Sequence, residues 1–146
     1  MHLPIIPYFQ TSRYRVAAMM TLATIKPGEQ AADLGSGDGR IVIALAKHGA
    51  QAVGYELDEK LIQLAEENIL KEHVKQNARI FHKDFWGENL SQYSVITVYP
   101  MPDIMETLEE KLLQELNPGS RVLVNYYPFP HWKETAEKDH VYLYVK

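Results

Sequence analysis

Apolar positions change period repeatedly along the chain, and the changes mark out its elements. A helix is expected over residues 13–25, with Thr11 and Ser12 placed to cap it and Lys26-Pro27-Gly28 to end it. Residues 30–34 form a short apolar strand. After a cluster of glycines, residues 41–46 are apolar nearly all round, as in a helix buried against a sheet. Residues 52–56 read as a second strand, and Asp58 caps a helix in which Leu61, Ile62, Ala65 and Ile69 share one stripe. Residues 78–84 and 94–99 are a third and a fourth strand, the fourth continuous and β-branched like one covered on both faces. A helix over 103–116 repeats Ile104, Leu108, Leu112 and Leu116, leaving Glu106, Glu109, Glu110 and Lys111 on a face expected to be solvated. Strands over 121–127, 132–138 and 140–145 follow, the last two joined by a tight turn into an antiparallel hairpin.

Strands that alternate with helices give a parallel sheet with right-handed crossovers. The expected class is therefore α/β: a doubly wound, mostly parallel, seven-stranded Rossmann-like sheet with an antiparallel C-terminal hairpin, in one domain over residues 1–146. Segments 85–93 and 128–131 are too short for crossover helices, so one sheet face should be thinly covered. Met19, Met20 and Met105 fall on helix stripes as core residues, and Trp86 and Trp132 are expected to close the hairpin side of the core.

Composition narrows the chemistry. At 146 residues and 46% hydrophobic, the chain can bury a core without a disulfide or metal staple. It has no Cys, which excludes a thiolate nucleophile, Cys-ligated zinc and iron–sulfur clusters. The six His show no ligand-like spacing, so no metal site is expected. The start carries two prolines and no basic-then-apolar leader pattern, and no apolar run reaches a membrane-spanning length; the expectation is a soluble, cytoplasmic protein without a membrane segment. Fifteen basic against 19 acidic residues give a net charge of −4, which disfavours a dedicated nucleic-acid binder. The oligomeric state is open, a homo-oligomer included.

Ligands of open α/β sheets sit beyond the carboxyl ends of the strands, at the topological switch point. After the first strand stands Asp33-Leu34-Gly35-Ser36-Gly37-Asp38-Gly39-Arg40, a glycine-rich turn feeding a helix N-terminus, where the backbone can approach a ligand closely. The third glycine comes one residue too early for a dinucleotide fingerprint, and Asp33 would repel a pyrophosphate but suits an α-amino group. Glu56 ends the second strand 21 residues after Gly35, placed to accept from both ribose hydroxyls. Asp84 ends the third and can accept from an adenine amine, with Phe85 against the ring. Alone, the glycines can be a plain strand-to-helix turn, and either acid a turn cap. At three successive strand ends they ask for an amino acid, a ribose and an adenine, which together are S-adenosylmethionine.

These residues resemble the class I S-adenosylmethionine-dependent methyltransferases. More narrowly the chain is similar to the small protein lysine methyltransferases, a group that includes a crenarchaeal broad-specificity enzyme and the mitochondrial enzyme modifying the ATP synthase c-subunit. The resemblance covers Pro7-Tyr8-Phe9-Gln10-Thr11, the glycine motif through Ile43, Gly54-Tyr55-Glu56-Leu57, Asp84-Phe85-Trp86, Leu112 to Val122 and Tyr127-Pro128-Phe129-Pro130-His131-Trp132. It implies S-adenosylmethionine as cofactor, with Asp33, Gly35 and Gly37 at the methionine moiety, Glu56 at the ribose and Asp84 at the adenine, and with Thr11, Ser36, Leu57 and Phe85 as further cofactor-binding residues. It further implies that the segment from Tyr8 to Thr11 folds over the cofactor near the methyl group. Two departures lie where a substrate would enter: Phe9 and Gln10 replace Val and Pro, and Tyr99-Pro100-Met101-Pro102 replaces an aliphatic pair. The stretch Val98 to Pro102 lacks the Asp or Asn that base-methylating enzymes place before Pro-Pro-Tyr, which disfavours a base as acceptor.

Lysine methylation is an in-line displacement at a sulfonium methyl and needs the neutral amine, present at only about one part in 10³ at pH 7. Burial beside a sulfonium lowers the amine pKa, so positioning rather than a strong base is the main requirement. Tyr8 and Tyr99 are the candidates to hold and steer the amine, ahead of Tyr126 and Tyr127. The partner implied is a protein substrate offering lysine side chains. Two other readings remain open: RNA or a small molecule as acceptor, and a cofactor-binding module without turnover.

Overall fold

The computed structural model describes residues 10–146. In chain order these form α1 (Arg13–Ala23), β1 (Gln30–Leu34), α2 (Arg40–Lys47), β2 (Gln51–Glu56), α3 (Glu59–Lys71), β3 (Ala78–His82), β4 (Val95–Val98), α4 (Met105–Glu115), β5 (Arg121–Asn125), β6 (Ala136–Lys138) and β7 (Val141–Val145). The strands make one sheet of order β3-β2-β1-β4-β5-β7-β6, parallel through β5 and antiparallel at β7 and β6. This is the expected doubly wound sheet. Its order reverses between β1 and β4, so the switch point opens directly after Leu34.

The two faces are covered unequally, as the short connections predict. On one face Met19, Ala23, Val42, Leu45 and Ile69 of α1 to α3 pack against Ala31, Ala52, Val95 and Leu123. On the other, Leu108 and Leu112 of α4 share the work with Leu90, Tyr93, Phe129 and Tyr144, which come from loops and from β7. Burying these side chains contributes roughly 1.5–3 kcal/mol for each large one. Met19, Met20 and Met105 are core, as expected. Asp58 caps α3 by accepting from the Lys60 and Leu61 amides.

Several elements differ from the expected reading, each for a local reason. α1 ends at Ala23, before Lys26-Pro27-Gly28, because Thr24 turns left-handed (φ 49°). Ser12 occupies the N-cap position without a side-chain capping bond. The helix expected over 103–116 is a 3-10 turn, Pro102–Ile104, followed by α4. Glu109 is buried (2% exposed) rather than solvated, because its Oε2 accepts from the His131 and Trp132 amides at 2.9 and 2.7 Å. Those amides are thereby withdrawn from strand pairing, and β6 starts only at Ala136. Trp132 packs on Phe129 and Tyr144 as expected. Trp86 instead lies against Phe85 after β3, and its carbonyl accepts from Lys111. β5 stops at Asn125, where Tyr126 takes a left-handed φ of 78°.

Candidate functional site

The pairing register decides what surrounds the glycine-rich turn. Asp33 lies opposite Gly54 on β2 and opposite Thr97 on β4. Thr97 Oγ1 donates to Asp33 Oδ1 at 2.8 Å, and both residues are buried. Burial raises the Asp33 pKa well above the ordinary carboxylate range. The Thr97 hydrogen bond works against that rise, while the charges of Glu56 and Asp38 add to it. Beyond Asp33 the chain turns sharply, with Gly35, Gly37 and Gly39 all at positive φ. The Gly35 and Ser36 amides donate to the Tyr55 carbonyl at 2.9 and 3.0 Å, which lays the turn onto β2. This requires glycine at position 54, where a Cβ would stand 2.4 Å from Ser36 Oγ and 2.9 Å from Val42 Cγ2.

Glu56, at the end of β2, has its carboxylate satisfied by backbone. Oε1 accepts from the Gly37 amide at 2.7 Å, and Oε2 from the Leu57 and Asp58 amides at 3.0 Å each. Asp84 lies two residues past β3 and caps the 3-10 turn Phe85–Gly87 by accepting from the Trp86 amide at 3.1 Å. Phe85 is buried, its ring 4.7 Å from that of Trp86.

Two shallow cavities meet at Gly35. Gly35, Glu56, Leu57, Asp84 and Phe85 line one, together with Tyr55 and Lys83. Thr11, Asp33, Gly35, Ser36, Gly37 and Tyr99 line the other, with Gln10 and Arg40 beside them. Every candidate from the sequence that falls among the described residues, apart from the less favoured Tyr126 and Tyr127, thus borders one half or the other of a single cleft. Tyr8 lies outside the described residues. Sequence reasoning missed Thr97 and gave Gly54, named only within the family motif, no role of its own. A glycine within a strand is a sign of close backbone approach and could have flagged position 54. Nothing in the order of the residues pairs Thr97 with Asp33, since β4 reaches β1 only through a crossover.

The donor set suits an elongated ligand whose amine faces the buried Asp33 and whose vicinal hydroxyls face Glu56. The residues present fit S-adenosylmethionine on this ground: the charges facing Asp33 are both negative, so a cationic amine there relieves an unfavourable burial. Among the described residues, no group of three or more His, Asp or Glu side chains could hold a metal ion, and no helix is long and apolar enough to cross a membrane.

The chain is similar to several known proteins. The protein-lysine N-methyltransferase of Saccharolobus islandicus strain REY15A is 34% identical over 154 residues, covering 99% of this chain and 96% of its own. The human ATP synthase c-subunit lysine N-methyltransferase is 45% identical over 100 residues, 68% of this chain and 43% of the human one. The chain spans less than half the length of that protein and of its rat counterpart. Among solved structures, an RNA methyltransferase from Salinibacter ruber in complex with S-adenosyl-L-homocysteine superposes with a TM-score of 0.85 at 30% identity, covering 93% of this chain and 91% of that one. Residues 33–136, from the buried aspartate to the first strand of the C-terminal hairpin, match the ANTKMT methyltransferase domain, and the chain belongs to that family.

Proposed function

We propose that this chain transfers a methyl group from S-adenosylmethionine to the ε-amine of lysine in a protein substrate. The observation that carries the reading is the convergence of Asp33, Glu56 and Asp84 on one cleft around Gly35. Each matches a different part of the cofactor: Asp33 the amine, Glu56 the ribose hydroxyls, Asp84 the adenine edge, with Phe85 beside the ring. When bound, S-adenosylmethionine supplies an electrophilic methyl. The rest falls to the chain: excluding water from the cleft, holding the acceptor amine neutral and aiming its lone pair. Tyr99 borders the Asp33 half of the cleft and is the described side chain suited to that steering, with Tyr8 as its counterpart from the preceding segment.

Lysine is preferred as acceptor because a near-full-length relative is a protein-lysine N-methyltransferase and the net charge of −4 opposes a phosphate backbone. The Salinibacter ruber structure, named an RNA methyltransferase, supports RNA as a second reading. Incubation with methyl-labelled cofactor and a cell extract, followed by protease or nuclease, separates the two. Label released by protease alone is expected. Label released by nuclease alone supports RNA, and no label despite measurable S-adenosyl-L-homocysteine binding points to a module without turnover.

A further inference from the structure

Thr11 is gripped from two directions. Its hydroxyl accepts from Asn125 Nδ2 at 3.0 Å, across 114 residues of sequence, and its carbonyl accepts from Arg40 Nη1 at 2.9 Å. Arg40, the first residue of α2, is itself fixed by Asp38, whose Oδ2 lies 2.6 Å from Nη2. Asn125, the last residue of β5, is fully buried. One anchor thus comes from the cofactor loop and the other from the sheet, and together they fix both the position and the rotation of the peptide at residue 11. Gln10 and Thr11 wall the half of the cleft that holds Asp33, Ser36, Gly37 and Tyr99.

The carboxamide at position 125 is a poor choice for the fold alone. Its Oδ1 is buried with no hydrogen-bond partner among the described residues, a penalty that an apolar side chain at the end of a buried strand would avoid. What the amide contributes is the bond to Thr11. We propose that Asn125 is a positioning residue for methyl transfer: with Arg40 it clamps Thr11 and so sets the wall of the methionine end of the cofactor cleft. The proposal rests on the methyltransferase reading above, and Asn125 acts through Thr11 rather than by touching the cofactor.

The test compares Asn125→Ala, Thr11→Val, Thr11→Ser and the double variant Asn125→Ala/Thr11→Val, each in the whole 146-residue chain. Thr11→Val keeps the buried shape and removes the acceptor, so it serves even if Asn125→Ala folds poorly, while Thr11→Ser restores the hydroxyl. Two measurements are made: KM and kcat for S-adenosylmethionine, and, without cofactor, hydrogen exchange at the Arg15 and Val16 amides, which bond to the Ser12 carbonyl. Asn125→Ala and Thr11→Val should each raise KM about fivefold with kcat within about twofold. Thr11→Ser, which keeps the hydroxyl, should have a KM well below that of Thr11→Val, and the double variant should be no worse than the poorer single one. Exchange at the two amides should quicken in both single variants. Wild-type KM in both, additive losses in the double variant, or unchanged exchange overturns the clamp. Failure of the wild-type protein to bind S-adenosyl-L-homocysteine overturns the methyltransferase reading instead, and the exchange measurement still reports whether the clamp exists.

Discussion

The two halves of the cleft treat their carboxylates in opposite ways. Glu56 holds three backbone amides on its two oxygens, so most of its acceptor capacity is already met by the chain that surrounds it. Asp33 has one hydroxyl, from Thr97, and faces two further negative charges in a fully buried position. The first carboxylate organises the protein, since it ties the glycine loop to the end of β2. The second is buried beside the charges of Glu56 and Asp38, surroundings that disfavour its ionised form and that a cation would relieve. A backbone-held carboxylate at Glu56 and a buried, poorly solvated one at Asp33 are separate devices, and the same chemical group supplies both because its surroundings differ.

Replacing Asp33 by Asn should break this contrast most severely. The amide keeps the shape and a partner for Thr97 but cannot neutralise an ammonium, so S-adenosyl-L-homocysteine affinity should fall about a hundredfold, near 3 kcal/mol. Thermal unfolding of the ligand-free variant at neutral pH should move the other way, because a desolvated charge flanked by Glu56 and Asp38 has been removed. Calorimetry and a melting curve check the two signs together. A variant that binds normally would show that Asp33 does not face the ligand.

Glu56→Ala tests the opposite end, and there both signs should agree. Three amides lose their acceptor and the ribose loses its own, so affinity should fall about tenfold and stability by about 1–2 kcal/mol. Unchanged affinity with lowered stability would reduce Glu56 to a loop tie alone.

How much of this was legible in the sequence follows from how local each feature is. The glycine turn, the acids ending β2 and following β3, and the alternation of strands with helices are sequential patterns, and the folded chain keeps them. Asp84 also shows the plainer capping role that a lone acid at a strand end suggests. What escaped was set by partners distant in sequence. Glu109 reads as an exposed helix position until the amides of His131 and Trp132 fold over it. Thr97 is an ordinary strand threonine until β4 pairs with β1. Thr11 reads as a cap until Asn125 takes its hydroxyl. The end of β5 was missed because Tyr126, a bulky residue, adopts a left-handed φ that composition does not foretell.

The smallest expected effect also bears most directly on the difference between the two ends. Burial puts the folded Asp33 pKa above its unfolded value, so between those two values the folded protein holds a proton that the unfolded chain has lost. Ligand-free stability should therefore decline as pH rises through that window and level off above it. An ammonium beside Asp33 favours the ionised form and lowers the pKa again. Binding of S-adenosyl-L-homocysteine within the window should then release a fraction of one proton per site, and affinity should rise with pH across it. Calorimetry in two buffers of different ionisation heat reads that proton directly. The release should vanish in Asp33→Asn and persist, in a lower pH window, in Glu56→Ala, since burial raises the Asp33 pKa more than the Glu56 charge does. Proton uptake, or an equal release from the Asp33→Asn protein, would mean that the ligand's amine lies elsewhere and that the buried acid in β1 has another purpose.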